Sequence, residues 1–118
     1  MPRHVDLFDD RIRLLFSGLD SLAVFRSELS IPYPTIERVE AGLDEVPSVW
    51  TWRLGISLPF SERRQGWFWT EGKKIFLDIR SRTRAVAIYL KPGSEFSLIA
   101  FDDSRPDDLA ADIRSRLS

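Results

Sequence analysis

The second half of the chain is a succession of short apolar runs alternating at period two, and no other feature constrains the fold as strongly. In Lys73-Lys74-Ile75-Phe76-Leu77-Asp78-Ile79-Arg80, the residues Ile75, Leu77 and Ile79 share one side. Val86, Ile88 and Leu90 do the same in Ala85–Leu90. Alternation of this kind marks an extended strand with one buried face. Trp67–Thr70 precedes these runs, and the aromatic and apolar stretch Phe96–Phe101 follows them. Turn residues punctuate the series at Glu71-Gly72, Ser81-Arg82-Thr83 and Pro92-Gly93-Ser94. Four strands in succession at hairpin spacing predict an antiparallel meander.

Beyond the meander the period changes. Asp103 is a capping candidate, Pro106 suits a first helical turn, and Asp107 and Asp108 suit the positive end of the helix dipole. Leu109, Ile113 and Leu117 recur every fourth residue, which predicts an amphipathic helix over 105–117. Its stripe needs an apolar surface to cover, and the open end of a barrel would supply one. The first half is less regular. Arg11–Phe16 reads as a strand, and Leu19, Leu22 and Phe25 have the spacing of a short helix. Ser30–Tyr33 is extended, because Pro32 and Pro34 each disfavour helix at the residue before them. Ile36, Val39 and Leu43 continue it as a strand, and residues 44–66 read mostly as loop, broken by Pro47, Gly55, Pro59 and Gly66. A loop of that length is functional or packed by its own side chains.

A length of 118 residues suits a single domain, 1–118, with residues 1–9 expected to fray. With no cysteine, a disulfide framework, a zinc ribbon and thiol catalysis are excluded. The longest apolar run, Ala85–Leu90, falls far short of the roughly 20 residues that a spanning helix requires. Met1–Asp10 has no apolar stretch of the kind a signal peptide carries. The expectation is a soluble, cytoplasmic protein with no transmembrane segment.

Three places in the chain resemble the bacterial pleckstrin-homology-like domains. Ser30-Ile31-Pro32-Tyr33 with Ile36 and Val39 is similar to that group's I-P-x-x-x-I-x-x-V segment. Gly66-x-Phe68 ahead of the Gly72 turn and Phe76 is similar to its central hairpin. Asp102-Asp103, then Pro106 and a short helix, is similar to its closing element. The resemblance spans residues 10–117, and each motif is a structural device that carries no chemistry. It implies a mainly β fold: a PH-like barrel of six or seven antiparallel strands in two near-orthogonal sheets, closed by the C-terminal amphipathic helix. Eukaryotic relatives grip phosphoinositides through a basic loop between the first two strands. Here that connection, Ser17–Ser30, offers Arg26 against Asp20 and Glu28.

The residues offer no recognisable catalytic constellation. His4 is the single histidine, near Asp6 and Asp9 in a terminal segment that lacks the supporting group a general base requires. Asp9-Asp10 and Asp102-Asp103 lack the ligand spacing of a metal loop. No nucleophile elbow, phosphate loop or dinucleotide glycine pattern occurs. The reading is non-enzymatic, with no catalytic residue, no metal and no cofactor.

Two features remain. The net charge of −1 conceals a basic middle: residues 1–52 carry −4, 53–84 carry +5 and 102–118 carry −2. Within that middle, Arg63, Arg64, Lys73 and Lys74 are the candidate anion-binding set, able to meet phosphate or an anionic lipid surface. They also suit charged strand ends that discourage edge pairing, and no nucleic acid is expected as a partner. Aromatics are in excess. Trp50 and Trp52 are two apart, as are Trp67 and Trp69, so each pair shares one side of an extended segment. With Ile75, Leu77 and Ile79 facing in, Trp67, Trp69, Phe76 and Tyr89 are expected to form an outer aromatic patch. The alternative is that one Trp pair is core and the 44–66 loop covers the other. The leading expectation is an interaction module that self-associates or docks a protein partner through that patch. The second is a peripheral binder of anionic lipid or phosphate.

Overall fold

A computed structural model describes residues 3–16, 28–43, 53–57, 64–70 and 73–117. The fold is mainly β, with two sheets and one C-terminal helix. Strands β1 (Arg3–Leu7), β2 (Arg11–Phe16) and β3 (Glu28–Pro32) form a three-stranded antiparallel sheet. His4 therefore lies within a paired strand, opposite Leu15, rather than in a frayed end. A single 3-10 turn at Tyr33–Thr35, with Pro34 fixing its backbone, leads from β3 into β4 (Ile36–Ala41). The expected helix at Leu19–Phe25 falls outside the described residues.

The second sheet has six strands. Besides β4 it holds β5 (Arg53–Ser57), β6 (Arg64–Thr70), β7 (Lys73–Ile79), β8 (Ala85–Leu90) and β9 (Leu98–Asp102), in the order β4-β8-β9-β7-β6-β5. The segment read as loop thus contains β5 and the start of β6. The meander is corrected as well: β9 lies between β7 and β8, antiparallel to β8 and parallel to β7. Burial is the reason. Leu98, Ile99, Ala100 and Phe101 are four consecutive buried residues, a strand apolar on both faces, and such a strand belongs at a sheet centre with both sides covered. A meander would have left it nearer an edge.

The Arg80–Arg84 connection, with its 3-10 turn at Arg82–Arg84, bridges the two lanes, a span of roughly 10 Å. Two hydrogen bonds then fasten the inserted strand there. The Arg80 amide donates to Asp102 Oδ2 at 2.6 Å, and the Asp103 amide donates to the Arg84 carbonyl at 3.0 Å. Among the described residues this sheet is open, with β4 and β5 as its edges, and no closed barrel forms.

Helix α1 (Pro106–Arg116) starts as expected, with Pro106 in its first turn and Asp107 and Asp108 at its positive end. Asp103 does not cap it; its Oδ2 accepts the Arg105 amide at 3.0 Å, a turn outside the helix. Ala110 and Ile113 are buried and Leu109 and Leu117 half-buried, as the helix packs on β4 and β8.

The six-stranded sheet separates two apolar clusters. Phe76, Val86, Ile88, Ile99 and Phe101 face Ile12, Leu14, Leu29 and Ile31 of the small sheet, together with the helix. Phe68, Ile75, Leu77, Ile79, Ala85, Ala87 and Ala100 lie on the other face with Leu43. Each period-two set keeps to one side of its own strand, but the Ile75 set and the Val86 set lie on opposite faces of the sheet rather than on one inner face, and both faces of β7 are largely covered.

Candidate functional site

The two covered faces decide the fate of the aromatic patch. Phe76 is fully buried and meets Phe96 edge-on, with ring centroids 5.9 Å apart and planes at 72°. This is core packing, and the outward placement expected for Phe76 is corrected. Tyr89 lies on the opposite face, half-buried beside Ala85 and Ala87, with the Arg38 guanidinium 3.9 Å above its ring. Phe76 and Tyr89 therefore do not share a surface. The backbone register sets Trp67 opposite Phe76 and Trp69 opposite Lys74. Trp50 and Trp52 fall outside the described residues.

The basic set is divided too. Arg64 opens β6 opposite Ile79, whereas Lys73 opens β7 opposite Thr70. The length of a seven-residue strand, roughly 20 Å, separates them. Arg63 falls outside the described residues. Lys73 and Lys74 stay together, and the inserted β9 brings them a neighbour that the sequence reading did not include: Lys91, at the end of β8.

These lysines line an open cleft of about 680 Å³ at one end of the six-stranded sheet. Its floor follows from register. Ile75 pairs with Leu98, and Leu98 pairs with Tyr89, giving one apolar row across β7, β9 and β8. Lys73 lies two residues before Ile75 in β7 and shares its side of the strand, and Lys91 follows directly on the end of β8, so both stand at the same end of the row. Both are exposed, and neither has an ion pair among the described residues.

Lys74 has the other parity and is engaged. Its Nζ meets Glu95 Oε2 at 3.1 Å and stands 4.9 Å from the centre of the Phe96 ring. Glu95 is about half exposed, so the ion pair adds little stability by itself. Its geometric effect is to latch the 91–97 connection. Backbone bonds complete that latch: the Ser97 amide donates to the Lys74 carbonyl at 2.8 Å, Leu90 to Ser97 at 3.1 Å and Lys91 to Thr35 at 2.8 Å. Gly93, at φ +95°, makes the tight turn that the Pro92-Gly93 pair announces. On the β4 side Glu37 adds a carboxylate with no ion pair among the described residues.

The lining thus offers ammonium groups, carboxylates, serine hydroxyls and a phenol around an apolar floor. A second hollow of about 590 Å³ lies around Glu40, Gly42, Thr83, Asp107 and Arg114 and is mainly polar. The Tyr33 phenol lies elsewhere and donates to the Phe8 carbonyl at 2.7 Å. Burial pushes its pKa up, against the opposing charge and hydrogen bond of Arg116. It ties the β1–β2 turn to the start of β4, a structural role. Among the described residues no three histidine, acidic or cysteine side chains converge as a metal site requires. No helix among them is long and apolar enough to cross a membrane.

No protein-family model, curated protein or solved structure matches this chain.

Proposed function

We propose that the protein is a non-enzymatic interaction module that docks a protein partner in the cleft at the β7, β8 and β9 ends. The observation that carries this reading is the cleft itself: an open hollow of about 680 Å³, of the size that binding sites have, with an apolar floor and two lysines that have no ion pair among the described residues. The latched 91–97 connection supports it, because a rim held by main-chain bonds is in place before a partner arrives. Self-association through an aromatic face has less support, since Phe76 is core and Tyr89 lies beneath Arg38. The two sheets and closing helix support the pleckstrin-homology-like resemblance; the parallel β7–β9 pair departs from the antiparallel barrel it implies.

The test is a titration of isotopically labelled protein with short acidic, basic and neutral apolar peptides, followed by amide resonance shifts. Shifts confined to residues 37, 73–75 and 89–98 are expected. Shifts confined to the three-stranded sheet, or none with any peptide, would overturn the reading. A second reading, a phosphate or anionic headgroup at the rim, is favoured by Lys91 joining Lys73. It requires binding to anionic vesicles that falls steeply with salt.

A further inference from the structure

We propose that the segment received by this cleft is an acidic peptide: an apolar side chain flanked by carboxylates. This rests on the docking reading above and gives its partner a chemistry.

The unengaged charges set the sign. Lys73 and Lys91 are exposed and lack ion pairs among the described residues, while Lys74 is held by Glu95. Glu37 is the one opposing carboxylate of the lining without such a pair. Among the described lining residues the unengaged groups are therefore two cations to one anion, and both cations stand at the same end of the floor. Position follows from the sheet order. Lys73 belongs to β7 and Lys91 to β8, with β9 between them, so their backbones lie roughly 10 Å apart. An apolar side chain over the Ile75–Leu98–Tyr89 row would have a lysine on each side. In an extended peptide the residues two before and two after it share its face, about 13 Å apart, within reach of two flexible lysine stems. Carboxylates at those two positions match both ammonium groups while the apolar side chain covers the floor. A basic peptide would meet two like charges instead, a penalty that builds specificity.

The experiment uses the full chain and three fluorescent peptides with Gly/Ser flanks around a central Glu-Gly-Leu-Gly-Glu, Lys-Gly-Leu-Gly-Lys or Glu-Gly-Ser-Gly-Glu, called Glu-Leu-Glu, Lys-Leu-Lys and Glu-Ser-Glu after the three residues that share a face. Glu-Leu-Glu is expected to bind best, Glu-Ser-Glu more weakly, and Lys-Leu-Lys weakest. The double reversal Lys73→Glu/Lys91→Glu should weaken Glu-Leu-Glu binding roughly tenfold, two surface ion pairs being at stake. Lys73→Arg/Lys91→Arg should restore it, and Glu37→Gln should tighten it. Both lysines are exposed, so an unchanged urea midpoint for each variant is expected and confirms that the fold survives.

Equal binding of Glu-Leu-Glu and Lys-Leu-Lys, or indifference of Glu-Leu-Glu to the double reversal, would overturn the acidic inference. If Lys-Leu-Lys binds better and shifts the cleft amides, the docking reading stands and the acidic partner falls. If no peptide shifts those amides, both fall. Binding of phosphatidylserine-rich vesicles without binding of Glu-Leu-Glu would replace the peptide with a lipid surface and overturn the proposal.

Discussion

Arg114 Nε donates to the main-chain carbonyl of Val39 at 2.9 Å, so the helix places a guanidinium on the outer edge of β4. β4 ends the six-stranded order, and an uncovered edge strand presents unpaired main-chain groups to any other chain. One arginine thus both fastens the helix and occupies part of that edge. Arg114→Met should lower stability by about 1 kcal/mol, the worth of one partly exposed hydrogen bond. It should also promote association at high concentration. Urea denaturation and light scattering read the two effects separately.

Phe76 discriminates between a surface patch and a core. Phe76→Ala is expected to cost about 3–5 kcal/mol, as removal of a fully buried phenyl ring does. A loss under 1 kcal/mol by chemical denaturation would return Phe76 to the outside of the molecule.

Asp102 holds β9 in its lane through the Arg80 amide. Asp102→Ala leaves that amide without its carboxylate partner and should cost about 1–3 kcal/mol. Hydrogen exchange should rise first at residues 98–102, since the bond anchors that strand end; uniform exchange across the sheet would contradict the anchoring role.

Tyr33 predicts a dependence on alkaline pH. Burial raises its pKa above the ordinary 10.0, with Arg116 opposing the shift. The unfolded chain ionises first as pH rises, so the contribution of this phenol is constant below pH 10 and declines above it. The stability difference between wild type and Tyr33→Phe should therefore be flat at neutral pH and shrink in alkali. A difference that grows above pH 10 would contradict the raised pKa.

Much of the strand pattern was legible because period two is a local property. β2 was read to its ends, Arg11–Phe16, and the β8 alternation placed Val86, Ile88 and Leu90 on one face. Pro106 and the fourfold recurrence of Leu109, Ile113 and Leu117 located the helix within one residue at each end. Sheet order was not legible, because hairpin spacing describes neighbours in sequence, and β9 chose its place by burial. The error at Phe76 has the same origin. Calling one side of β7 outer assumed a solvent face, whereas two clusters sandwich the strand. The available signal was the unbroken apolar run Leu98–Phe101, which has no polar alternation and so announces a strand covered on both sides. Lys91 was missed with it: its approach to Lys73 depends on which strand lies between them.

β9 has a consequence for how this chain folds. Among the described residues, the β4–β8 pair and the β7–β6–β5 set have no hydrogen-bonded lane in common except residues 98–102. β9 pairs with β8 as a hairpin through the 91–97 connection, but β7 keeps its inner edge unpaired until that hairpin docks on it. This docking is less local than any hairpin, and contacts of that kind slow folding. Until it occurs, Ile75, Leu77, Ile99 and Ala100 lie on unfinished strand edges prone to pair with another chain. The same five residues that unify the native sheet mark the interval in which the protein is most exposed to aggregation.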